Sequence, residues 1–105
     1  MAGKVETYLG FCLKSRKIAL GAGTVYLLKK GVYLLIVCST ASENTMKLAF
    51  KFKNRFSCPL IICKIGLENV VHKSGCKIAA VRDANLANAI CDNLNDDYEI
   101  CDGRQ

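Results

Sequence analysis

Val32 to Cys38 is an unbroken run of seven apolar residues, bounded by Gly31 on one side and Ser39-Thr40 on the other. It is rich in residues that favour strands, and it is apolar on both faces. Such a strand belongs in the middle of a sheet that is covered on both sides. Leu60 to Cys63 reads as a second buried strand, entered through the helix-breaking Ser57-Cys58-Pro59. Lys77 to Arg82 reads as a third, and Ile18 to Leu20 as a brief fourth.

Helical patterns fill the spaces between. Val5, Tyr8, Leu9, Cys12 and Leu13 recur at helical spacing and mark one face of an amphipathic helix over about Ala2 to Lys17. After the Gly21-Ala22-Gly23-Thr24 turn, Gly23 or Thr24 opens a second helix, which Gly31 ends as a left-handed cap. Thr40-Ala41-Ser42-Glu43 reads as a capping box for a third helix that runs to about Phe56. Gly66 to Lys73 predicts a short helix, and Asp83 caps a last one through about Leu94. The order is α-β-α-β-α-β-α-β-α. It predicts an α/β protein, a three-layer α-β-α sandwich with a mixed four-stranded sheet. Residues 1–94 form the one expected domain, and 95–105 read as an acidic, frayed tail.

Composition narrows the function classes. Hydrophobic residues are 51% of the 105, which rules out wholesale disorder. A membrane-spanning helix needs about 20 apolar residues in a row, so none is expected. No basic start followed by an apolar stretch stands at the N-terminus, and a cytoplasmic protein is expected. The seven cysteines are odd in number and contain no Cys-x-x-Cys pair. They read as small buried hydrophobes; no disulfide framework, metal site or cofactor is expected.

Charge is unevenly spread. Residues 1–82 hold 14 Lys/Arg against 3 Asp/Glu, whereas Asp83, Asp92, Asp96, Asp97, Glu99 and Asp102 make the C-terminal end acidic. A basic body points to a polyanion, most often nucleic acid. Lys47, Lys51 and Arg55 recur every four residues and read as a solvated helix face. Lys17, at the end of the first helix, and Lys29, at the end of the second, adjoin glycine turns whose backbone amides can help hold phosphates. His72 has no acid or nucleophile placed for it, and Gly21-Ala22-Gly23 matches neither a dinucleotide fingerprint nor a P-loop. No enzyme is expected.

The order of motifs resembles the L-seven-Ae / L-thirty-e superfamily of ribosomal and kink-turn RNA-binding proteins, and its small bacterial members above all. The resemblance is carried by Leu9-Gly10-Phe11-Cys12 with Ser15-Arg16-Lys17 and Gly21, and by Leu34 to Val37 leading into Ala41-Ser42-Glu43-Asn44-Thr45. Cys58-Pro59 before a strand and Ala80-Val81-Arg82-Asp83 with Leu86-Ala87 complete it, over about residues 5–92. It implies a non-catalytic RNA-binding protein in a ribonucleoprotein, with structured RNA such as a kink-turn or ribosomal RNA as partner. Ribosomal or other translation proteins would be further partners, and no membrane is implied.

The resemblance also implies the RNA contacts. They fall on Gly21, Ala22, Gly23 and Thr24, and on the loop Ser74, Gly75, Cys76 and Lys77. A glycine turn lets an RNA backbone come close, and an apolar loop can cover an unstacked base. One departure stands out: Ala22 and Gly23 occupy the place of the family's guanine-reading Asn-Glu pair, and the lysine one turn later is Tyr26 or Leu27. A protein-interaction module on the same scaffold is the alternative reading.

Overall fold

The computed structural model describes residues 3–101. Ten elements alternate along the chain: α1 (Lys4–Ser15), β1 (Ile18–Leu20), α2 (Ala22–Leu27), β2 (Leu34–Cys38), α3 (Glu43–Phe56), β3 (Leu60–Cys63), α4 (Leu67–Val71), β4 (Ile78–Val81), α5 (Ala84–Asp92) and β5 (Tyr98–Cys101). The strands form one mixed sheet in the order β1-β4-β2-β3-β5. β2 and β3 run parallel; every other neighbouring pair is antiparallel.

Strand alternation divides the core in two. Leu34, Ile36 and Cys38 of β2 pack with Ala79 and Val81 of β4 beneath Val5, Leu9 and Cys12 of α1, Leu67 and Val71 of α4, and Ala87 and Ile90 of α5. Leu35 and Val37, with Ile78 and Ala80, meet Val25 of α2 and Ala49 and Phe52 of α3 on the other face. The α/β three-layer sandwich is therefore the fold. Burying each large aliphatic side chain of this kind contributes roughly 1.5–3 kcal/mol. Among the described residues, no helix is long and apolar enough to cross a membrane.

The sheet has five strands where four were expected. Residues 95–101 are not a frayed tail. Asn95 makes a turn, its side-chain oxygen accepting from the Asp97 amide at 2.8 Å, and the chain then pairs along β3 with Cys63 opposite Tyr98. Tyr98 is buried, and its hydroxyl donates to the carboxylate of Glu6 in α1. Glu99 forms an ion pair with Lys64 at 3.5 Å. The acidic neighbours masked a strand whose apolar Tyr98 and Ile100 alternate with Glu99. The last acid, Asp102, and the expected helix start at Ala2 lie outside the described residues.

Caps differ in detail. Ser42, not Thr40, caps α3, accepting from the Thr45 amide at 3.2 Å. Asp83 caps α5 as expected, accepting from the Leu86 amide at 2.9 Å. α2 stops at Leu27, short of Gly31, which instead sits at φ +79° in the loop before β2.

Candidate nucleic-acid interface

Two segments far apart in sequence meet at one corner of the sheet. β1 lies against β4, with Leu20 opposite Ala79. The Gly21 amide then donates to the carbonyl of Ile78 at 2.8 Å. The turn Gly21, Ala22, Gly23 and Thr24 therefore lies beside the loop Ser74, Gly75, Cys76 and Lys77. Gly21 adopts φ +95° and Gly75 φ +78°, backbone that side chains rarely accept. A Cβ at Gly21, Gly23 or Gly75 would meet nothing within 4 Å, so the corner presents bare backbone to solvent. Gly23, Thr24, Ser74 and Gly75 are exposed.

Three of the expected contact residues stand elsewhere. Cys76 is buried, because the loop turns its side chain into the core, where its thiol reaches the Ile78 carbonyl at 3.4 Å. Burial raises that thiol's pKa above its ordinary value. Lys17 precedes β1 and Lys29 follows α2, so both lie at the far end of these elements from Gly21. Lys17 gives its carbonyl to the Arg82 amide at 2.7 Å, at the opposite end of β4 from the corner. Nearness to a glycine turn in sequence did not reveal which end of a strand a residue occupies.

Lys77 reaches the corner, but not as a bare cation. Its ammonium forms an ion pair with Glu68 at 3.1 Å and donates to the Thr40 hydroxyl at 2.9 Å. Hydrogen bonding to Lys77 and its charge hold the Glu68 carboxyl below the usual carboxylate range. Thr40 in turn contacts the Cys38 thiol, 3.1 Å from its hydroxyl. Burial pushes the Cys38 thiol up, but hydrogen bonds from Thr40 and the Leu67 backbone, with the charge of Lys77, bring it below its ordinary value.

Sequence reasoning missed Thr40 and Glu68. The available signal was position: Thr40 closely follows the carboxyl end of β2, and such ends line the ligand crevices of open α/β sheets. It also left open which of Tyr26 and Leu27 stands where the resemblance implies a lysine. Both are exposed, at 62% and 76%, on the helix that begins at the corner.

No protein-family profile matches the sequence, and no curated protein matches it. A solved structure of a protein of unknown function from Bacillus halodurans is similar, with a TM-score of 0.69 at 20% identity. The match covers 87% of this chain and 96% of that one. At that identity the likeness concerns the fold.

Proposed function

We propose that this protein is a non-catalytic, cytoplasmic RNA-binding protein that docks a bent, structured RNA on the corner formed by residues 21–24 and 74–77, in a ribosomal or related translation setting. The observation that carries the reading is the Gly21-to-Ile78 hydrogen bond, which joins two glycine-bearing segments into one open, side-chain-poor surface. A side-chain-poor surface lets the backbone of a folded RNA bend come close, so that its shape and sugar-phosphate groups can be contacted. The strongly basic body supports the same reading by long-range attraction.

A gel shift with a kink-turn RNA and a straight duplex of matched length tests it. Stronger binding to the bent RNA supports the reading; equal binding overturns the shape-specific part. Absence of any RNA binding at low salt overturns the whole. The second reading, a protein-interaction module, is favoured by exposed Tyr26 and Leu27, apolar side chains where an RNA-facing lysine was expected. A partner retained from nuclease-treated lysate, and released on Tyr26→Ser with Leu27→Ser, selects it.

A further inference from the structure

At the opposite end of the sheet from the glycine corner, a cleft of about 400 Å³ opens between the loop before β2 and the turn before β3. Its size falls within the range of small-ligand sites, roughly 300–1,000 Å³. Lys29, Lys30 and Arg55 line it with Tyr33, Phe56 and Ser57, and no carboxylate does. Among the described residues, none of these three cations has an ion-pair partner.

The cleft is held in shape by main-chain contacts. Arg55 donates to the carbonyls of Tyr26 at 3.1 Å and Leu28 at 2.8 Å. Arg82 donates to those of Lys30 at 3.1 Å and Gly31 at 3.2 Å. Two arginines thus fix the loop that carries both lysines. A guanidinium has five N–H groups, so Arg55 keeps donors beyond the two it uses on the loop. It also lies over the Phe56 ring, 5.2 Å from its centre. Tyr33, a residue 46% exposed, lines the same cleft.

Uncompensated cations beside an exposed aromatic ring suit a ligand that carries a phosphate and a planar base together. Ammonium and guanidinium groups take the phosphate, and the ring offers a stacking face that every base can use. We propose that this cleft binds a nucleoside phosphate, with the phosphate on Lys29, Lys30 and Arg55 and the base against Tyr33. The same chemistry is presented by a free mononucleotide and by one unpaired nucleotide of an RNA strand. The site is separate from the glycine corner and does not depend on the function proposed there.

The test is a titration of the full chain, followed by backbone amide NMR, with adenosine monophosphate, uridine monophosphate, inorganic phosphate and a short unstructured oligonucleotide. Shifts at Lys29, Lys30 and Tyr33, with residues 21–24 unmoved by the mononucleotides, support the cleft. Saturation by mononucleotides at least as tight as by the oligonucleotide identifies the free ligand; much tighter oligonucleotide binding identifies the RNA strand. Tyr33→Ala lowers nucleotide affinity by roughly tenfold, the scale of a single stacked base. It leaves the weaker binding of inorganic phosphate unchanged. Lys29→Ala with Lys30→Ala lowers both, while Lys17→Ala, outside the cleft, lowers neither. The proposal is overturned if neither nucleotides nor the oligonucleotide perturb the cleft, or if phosphate alone binds as tightly as the mononucleotides. Kink-turn binding that survives the Lys29/Lys30 change keeps the two sites distinct.

Discussion

The Gly21 amide and the Ile78 carbonyl are 57 positions apart in the chain and 2.8 Å apart in space. That bond ties the turn after β1 to the loop before β4, and it fixes Gly21 in a conformation that glycine alone takes easily. Gly21→Ala should therefore destabilise the fold by about 1–3 kcal/mol. Each kcal/mol lowers the thermal midpoint of a domain this size by roughly 4–8 °C. Thermal unfolding followed by circular dichroism reads it; an unchanged midpoint would contradict the strained conformation.

Gly23 separates stability from binding. It lies within α2 without a positive φ, and a Cβ there would meet nothing within 4 Å. Gly23→Ala should keep or raise stability, by up to about 1 kcal/mol. Gly23→Leu should keep the fold yet weaken kink-turn binding, because a bulky side chain then stands on the bare corner. Melting curves and gel shifts on the same two variants check both halves.

Glu68 restrains the cation that reaches the corner. Glu68→Gln removes the ion pair at 3.1 Å and frees the charge of Lys77. RNA affinity should rise at low salt, and Lys77→Ala should lower it. The slope of log affinity against log salt should become shallower by about 0.9 for each phosphate that the variant no longer neutralises. Filter binding at several salt concentrations gives the slope; identical slopes for wild type and Lys77→Ala would remove Lys77 from the interface.

Stability should fall in mild alkali. Burial pushes the thiols of Cys12 and Cys58 up to about 11, against an ordinary value of 9.0. Between those values the native chain holds protons that the unfolded chain has released. The stabilisation is complete below pH about 9 and disappears as pH climbs towards about 11. Burial, then the bond to Glu6, shifts Tyr98 in the same direction. Urea unfolding at pH 7.5, 9 and 10.5 under reducing conditions should show the decline. Cys12→Ala should flatten it, though at lower overall stability.

Residues 95–101 should be required for a well-behaved fold. Tyr98→Phe, which removes only the donor to Glu6, should cost about 1 kcal/mol. Tyr98→Ala should cost about 3–5 kcal/mol, as large-to-small core changes do. A chain cut after Leu94 leaves the β3 edge from Leu60 to Cys63 unpaired and should aggregate. Light scattering distinguishes this from the alternative in which the acidic segment merely shields the basic body, where the cut chain stays monomeric and binds RNA more tightly.

The covered strands were legible because their chemistry is one-sided: Val32 to Cys38 has no polar face to turn outward, and β2 is buried throughout. The α1 face was equally readable from its spacing. Tyr98 to Cys101 was not, since its acids are typical of solvated segments and only pairing with β3 makes a strand of it. The choice of cap between Thr40 and Ser42 was not legible: α3 starts at Glu43, so Ser42 caps it, while Thr40 sits in the turn before it and is engaged by the Lys77 ammonium. At the corner, the meeting of residues 21–24 with 74–77 was expected through the family resemblance. The inward turn of Cys76, the tether on Lys77 and the distant placement of Lys17 and Lys29 depend on strand direction, which local patterns do not encode.

Arg55 and Arg82 grip the loop before β2 through carbonyl oxygens, and every residue offers the same oxygen. The path of that loop is thereby uncoupled from the identity of most side chains it displays, Gly31 with its positive φ excepted. Substitutions at the exposed positions 26, 27, 29 and 30 can rewrite what this end of the molecule recognises while the scaffold beneath, including the core-packed Leu28, keeps its shape.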